Sequence, residues 1–227
     1  MKVVAILQAR MNSTRLPGKM LLDLAGAPLV QRVIERVQRA TRLNEVVLAF
    51  PVVDYPAFSF LHQTGASLYG WPGNEHDLVA RYLGAAEAYG ADIIVRIPCD
   101  NPCVEPEYID EIVRIYMENC QPFYSNTTSL AGDTYVDGLG AEVFSVSRLK
   151  WLDQITKDRP DWREHPHKYF YDTSTWRSPD AQIRLDVNTQ ADYEFIRDIY
   201  DHLHPINPHF GIHDILTHLE VHGRAQV

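Results

Sequence analysis

VVAILQARMNSTRLPGKML, residues 3–21, runs from an unbroken apolar segment straight into a basic loop. Consecutive apolar residues with no polar alternate mark a strand buried on both faces, as in sheets covered by helices on each side. EVVLAF (45–50) and ADIIVRI (91–97) are runs of the same kind. Between them Leu29, Val30, Val33, Ile34 and Val37, and then Leu78, Val79, Tyr82 and Ala86, recur at helical spacing. A further helix over 105–119 would align Ile109, Ile112, Val113, Tyr116 and Met117 on one face. Strand–helix alternation of this sort calls for right-handed crossovers and a mostly parallel sheet. The first 120 residues therefore predict a Rossmann-like α/β layer sandwich.

The second half is less regular. Residues 123–146 predict strand, excursion, strand, and 149–172 mix helical spacing with Trp, Tyr and Phe. QIRLDV (182–187) predicts another strand, and Thr189 to Asp192 resembles a capping box opening a helix to about Leu203. Without repeats or linkers, the chain is expected to form a single domain over 1–227, with a lobe inserted at about 127–180.

Charge singles out the loop. Residues 1–22 hold four basic side chains and no acid, so a net charge of −9 leaves −13 for the remainder. Crowded like charges repel unless an anion is their partner. In an open α/β sheet, ligands sit beyond the carboxyl ends of the strands, where segment 8–19 leaves the first strand. Pro17 and Gly18 turn the chain, Ser13 and Thr14 supply hydroxyls, and backbone N–H groups can cradle an anion. Arg10 and Arg15 offer planar forks and Lys19 a point charge, a donor density suited to a nucleoside triphosphate. Neither GxxxxGK[ST] nor GxGxxG is present.

The acidic balance argues against nucleic-acid or anionic-membrane partners. No apolar run approaches the ~18 residues of a spanning helix, and the residues after Met1 lack a signal-peptide pattern. Cys99, Cys103 and Cys120 form no disulfide framework. A cytoplasmic protein is expected.

QARMNSTRLPGKML closely resembles the opening signature of the cytidylyltransferases of the spore-coat polysaccharide biosynthesis type, relatives of the CMP-sialic acid and CMP-KDO synthetases. GNEHDLVARY (73–82), RIPCDNPCVEPEYID (96–110), YVDGLGAEVFSVSRL (135–149), REHPHKYFY (163–171) and RLDVNTQADYEFI (184–196) resemble that family's later elements, in order. The resemblance implies a nucleotidyltransferase fold, CTP as donor, Mg²⁺ as cofactor, a homodimer and a role in polysaccharide or glycoconjugate biosynthesis. Gln8, Ala9, Arg10, Ser13, Thr14, Arg15, Lys19, Asp77 and Arg81 would then bind the nucleotide, with Arg10, Arg15, Lys19 and Asp100 catalytic. Glu142, Arg163, His165 and Lys168 would meet an acidic sugar or phosphorylated acceptor.

Each residue also has a plainer reading. Asp77 and Arg81, at i and i+4, could be a surface ion pair. Glu142 could be an exposed strand carboxylate, and the 163–168 cluster, His167 included, a dimer contact. Asp100 directly follows the apolar strand, too early to cap the helix expected from 105. A carboxylate beside a triphosphate calls for a cation between them. At the second metal position Asn188 stands where the family has Asp, and Gly140 replaces another family Asp, which is expected to alter the acceptor pocket. Either Asp186, on the same strand face, replaces the missing carboxylate, or Asn188 binds through its carbonyl; the register beside Thr189 favours Asn188.

His209/His213 and His218/His222 have zinc-compatible spacing, but no neighbouring Cys or carboxylate completes either pair. An exposed helix face is the expectation for both. Cys99 and Cys103 likewise lack partners for a zinc site. Two other classes stay open: a CTP-binding pseudoenzyme, prompted by Asn188, and a nucleotide-sugar-dependent glycosyltransferase, whose Asp-x-Asp motif is absent from Cys99-Asp100-Asn101.

Overall fold

The three apolar runs lie side by side. In the computed structural model, which describes residues 1–119, 121–173 and 179–223, they form β1 (Val3–Gln8), β4 (Glu45–Pro51) and β6 (Ile93–Pro98). The shorter elements between the first two are β2 (Asp23–Leu24), β3 (Ala27–Pro28) and α1 (Leu29–Val37). Then come α2 (Tyr55–Phe58), β5 (Ser67–Trp71), α3 (Leu78–Ala88) and, after β6, α4 (Pro106–Asn119). The second half holds β7 (Tyr124–Ser125), β8 (Thr128–Ala131), β9 (Thr134–Asp137), β10 (Glu142–Ser145) and α5 (Val146–Ile155). It continues through α6 (Pro160–Glu164), α7 (Pro166–Thr173), β11 (Ile183–Arg184), α8 (Gln190–Leu203) and α9 (Ile212–His222).

The main sheet has the order β5-β4-β1-β6-β10-β7, parallel through β6 and antiparallel thereafter. Both faces of its centre are covered, which explains the unbroken apolar runs. Val3, Ala5 and Leu7 join one core with α1, α4, α8 and α9, while Val4 and Ile6 join the opposite core with α3 and α5. The result is an α/β layer sandwich with a mixed, mostly parallel sheet. Among the described residues no helix is long and apolar enough to cross a membrane.

The chain moves from β1 outward to β4 and β5, then returns to the other side of β1 for β6. The strand order thus reverses between β1 and β6, and their carboxyl ends meet where Gln8 faces Pro98. This crevice is the place at which open α/β sheets bind ligands.

Within 127–180, β8 and β9 pair with each other outside the main sheet, β9 also taking β11, whereas β10 rejoins the main sheet and α5 packs on α3. Residues 174–178 of that range, and Cys120, lie outside the described residues. The strand expected over 182–187 is regular only at Ile183–Arg184, where it pairs in parallel with β9. Beyond it Leu185 N–H donates to the Asp137 carbonyl and Val187 N–H to the Asp100 carbonyl, so the extended backbone continues as a bridge between sheets. Thr189 and Asp192 form the capping box of α8.

Candidate active site

The basic loop closes on itself before it closes on anything else. Ser13 N–H and Gly18 N–H both donate to the Met11 carbonyl, and Gly18 takes a left-handed φ of 71°, a conformation that favours glycine. Asp54, just beyond the carboxyl end of β4, accepts from Met11 N–H at 3.0 Å and tethers the loop.

Each of the three cations has a partner from a remote segment. Lys19, only 7% exposed, donates to Asp100 Oδ2 at 2.8 Å and to the Val187 carbonyl at 2.6 Å. Arg15 donates to Asn188 Oδ1 at 2.5 Å, and the Asn188 amide in turn donates to Asp186. Arg10 lies 3.7 Å from Glu164 and 3.3 Å from His76. The hydrogen bond from His76, with Arg10 nearby, holds the Glu164 carboxyl below its usual range.

Asp100 sits where the crevice argument expects a ligand, and its turn is held from several sides. Cys99 N–H donates to the Gln8 carbonyl and Glu105 N–H to the Leu139 carbonyl. Arg36, buried with Glu105 at 2.9 Å, also donates to the Val104 carbonyl. Cys99 and Cys103 flank Asp100 as buried free thiols; burial pushes Cys103 up to about 12, so it stays protonated.

Two adjoining cavities open onto this arrangement. The first, about 200 Å³, is lined by Gln8, Ala9, Arg10, Ser13, Thr14, Arg15, Lys19, Arg81 and Asp100, with Met20, Leu78, Glu164 and His165. The second, about 580 Å³, is bordered by Arg96, Asp137, Glu142, His167, Arg184, Asp186 and Asn188, among others. Arg15, Asp100 and His165 line both. A charged group in one cavity would therefore lie beside a group in the other.

Several residues play parts that their spacing concealed. Asp77 and Arg81 are not a surface pair. Asp77 caps α3 by accepting from Ala80 N–H and takes the Arg163 guanidinium at 2.8 Å. Arg81 is 2% exposed and donates to the carbonyls of Ala9 and Glu75, so it braces the start of the loop from below. Glu142 is not an exposed strand carboxylate: it is 3% exposed and pairs with Arg96, its cross-strand neighbour on β6, at 2.7 Å.

The basic cluster of 163–168 is dispersed. Arg163 is held by Asp77 and Asp153, Lys168 is exposed, and neither lines either of these two cavities. His165 borders both cavities and His167 the second. Burial lowers both imidazoles, His167 to about 4, so they are neutral near pH 7.

Gly140 lines neither cavity. A Cβ there would collide with the side chain and carbonyl of Asn126, which clasps the loop by accepting from Ala141 N–H and donating to the Tyr108 carbonyl. Its glycine answers a packing requirement.

Sequence reasoning passed over Arg96, Asp137, Glu164 and Arg184. Asp137 accepts from Thr128 Oγ1 at 2.9 Å, and burial raises its carboxyl above the usual range. Arg184 is exposed and binds Asp186 at 2.9 Å, with Asp137 at 3.5 Å. A signal existed for Asp137, an acid inside the VDGLG turn, and for Arg96, a charge inside an apolar strand.

Comparison with known proteins gives a consistent result. The family model described as cytidylyltransferase matches residues 4–208. The spore coat polysaccharide biosynthesis protein SpsF of Bacillus subtilis is 26% identical over 87% of this chain and 86% of its own. A 3-deoxy-manno-octulosonate cytidylyltransferase of Geobacter sulfurreducens is 38% identical over 52% of this chain and 47% of its own. The solved structure of a cytidylyltransferase from Leptospira borgpetersenii superposes with a TM-score of 0.85 at 28% identity, covering 100% of this chain and 98% of that one.

Proposed function

The chain belongs to the cytidylyltransferase family, and on that premise we propose that it transfers CMP from CTP to an oxygen of an acidic small-molecule acceptor, releasing pyrophosphate. The observation that carries this reading is the junction of two cavities through Arg15, Asp100 and His165. The first cavity has the cations and hydroxyls that a triphosphate needs. The second offers Arg184 at its margin and Arg96 and Asp137 along its wall, a mixture suited to a small acid bearing hydroxyls.

The proposed reaction runs in line. An acceptor oxygen forms a bond to the α-phosphorus while the bond from that phosphorus to the bridging oxygen breaks, and pyrophosphate leaves with the electron pair. Asp137, made more basic by burial, takes the acceptor proton on its carboxylate. Arg15, steadied by Asn188, faces the reacting phosphate, while Arg10 and Lys19 oppose charge growing on the leaving group. Gln8, Ala9, Ser13 and Thr14 hold the nucleotide, and Arg81 and Asp77 support it by fixing the loop and α3.

The donor set also suits magnesium. Asp100 and Asp186 are hard carboxylates on one cavity, and they would hold Mg²⁺ together with phosphate oxygens. Bound there, the ion supplies charge neutralisation and polarises the phosphoryl oxygens. The Asn188 amide is engaged by Arg15 and Asp186, so in this reading it orients them rather than serving as a ligand.

The acceptor is proposed as a 3-deoxy-ulosonic or other sugar acid, or a phosphorylated small molecule, used in surface polysaccharide or glycoconjugate synthesis. A cytoplasmic homodimer belongs to the same reading. The test is pyrophosphate release with CTP, UTP, ATP and GTP against a panel of such acids. CTP-dependent release with one class of acceptor is expected, with Arg184→Ala raising the acceptor KM. CTP binding without pyrophosphate release from any acceptor would favour a pseudoenzyme instead.

A further inference from the structure

The C-terminal histidines form a cluster that the nucleotide site does not use. Asp198 and His202 stand at i and i+4 on α8, and His218 and His222 at i and i+4 on α9, so each pair shares a helix face. The two helices pack together and bring the pairs into contact. The expectation of an exposed helix face with no carboxylate nearby is overturned for His218, which is 6% exposed and faces Asp198. For the other pair only the exposure holds: His209 lies in the turn before α9, where it contacts Arg39, and His213 is exposed on α9.

We infer that Asp198, His202, His218 and His222 form a site for one divalent transition-metal ion of the zinc class, which fastens α9 to α8. Ligand atoms of Asp198, His202 and His218 all lie within 4.8 Å of one another. Donors about 2.0–2.1 Å from a tetrahedral ion stand roughly 3.3 Å apart. The Nε2 of His218 lies 3.2 Å from Asp198 Oδ2, already at that spacing. His202 Nδ1 lies 3.3 Å from Asp198 Oδ1, again at that spacing, and 2.8 Å from the Asp198 carbonyl. The His222 ring centroid is 4.6 Å from that of His218 and 5.5 Å from that of His202, within reach of a fourth position by side-chain rotation.

A satisfied core histidine needs one hydrogen-bond partner, and Asp198 would suffice for His218. It does not explain a second imidazole, His202, on the same carboxylate, nor a third, His222, against both rings. Three imidazoles and one carboxylate match zinc, nickel or copper, whereas Mg²⁺ prefers oxygen donors. The site is therefore chemically distinct from the one proposed at Asp100. It also rests on α9, which lies beyond the residues 4–208 matched by the family model.

The test uses full-length protein free of any affinity tag, stripped with chelator and titrated with Zn²⁺ in the absence of nucleotide. One equivalent should bind and raise the melting temperature by several degrees. Co²⁺ in its place should give the absorption of a four-coordinate ion. His202→Ala and Asp198→Asn, both at exposed positions that leave the core intact, should weaken Zn²⁺ binding by at least about tenfold. Asp100→Asn should bind Zn²⁺ normally. Wild-type protein that takes up no Zn²⁺ at micromolar concentration would overturn the proposal. So would undiminished binding in both helix variants, or loss of binding in Asp100→Asn.

Discussion

Lys19 and Arg15 lie four residues apart in one loop, yet removing them should have opposite consequences. Lys19→Met takes away a buried ammonium that serves Asp100 and the Val187 carbonyl at 2.8 and 2.6 Å. Breaking a fully buried pair costs ~3–5 kcal/mol, because the charge left behind stays dry. The Asp100 side chain keeps 28% of its exposure, so water recovers part of that. The Val187 carbonyl loses a donor, worth about 1 kcal/mol. The net expectation is a loss of about 2–3 kcal/mol, or roughly 4–12 °C for a chain of this size. Asp100→Asn in the same chain should return about 1–2 kcal/mol of it, since the stranded charge is gone. Arg15→Ala loses only a bond to an accessible amide, so stability should stay within about 0.5 kcal/mol while CTP binding weakens by ~1.5–3 kcal/mol. Urea titrations read at constant m-value, with CTP calorimetry alongside, separate the two. A Lys19→Met midpoint equal to wild type would refute the claim that this loop is anchored by a buried pair rather than merely charged for its ligand.

Asp100→Asn should abolish pyrophosphate release and leave a folded protein, since the turn is held by backbone bonds; wild-type turnover would reduce Asp100 to a turn residue. Asn188→Asp would set two carboxylates against each other beside Arg15, so its melting temperature should fall without Mg²⁺ and recover when Mg²⁺ is added with CTP; indifference to Mg²⁺ would remove Asp186 from the proposed metal site. Gly140→Ala should destabilise by at least ~1–3 kcal/mol through its collision with Asn126, while Asn126→Gly in the same chain should restore much of this. His167, neutral when folded to about pH 4 but titrating near 6.5 when unfolded, makes the unfolded chain bind the extra proton between those values. Stability present above pH 6.5 should thus be lost as pH falls toward 4, by about 3 kcal/mol at most, and His167→Gln should flatten that slope in acid-dependent urea titrations.

How much of this was legible beforehand depends on how far apart the interacting residues are. The doubly buried strands, the helices over residues 29–37 and 78–88, the loop at the sheet edge and Asp100 in its turn all follow from sequence, because each rests on local periodicity or on what directly follows a strand. β5 does not follow from sequence: Ser67–Trp71 lacks a clean pattern, and pairing with β4 organises it. The partners of the loop cations were also out of reach. Lys19 meets Asp100 across 81 positions and Arg15 meets Asn188 across 173, and no local pattern encodes such a meeting. The same holds for Arg96 with Glu142, and for the two histidine-bearing helix faces that converge on Asp198. Periodicity reveals which face of an element is apolar, but not which element covers it. Tertiary packing alone determines which charge lies buried against which, and so turned a basic segment into a braced loop beside two joined cavities.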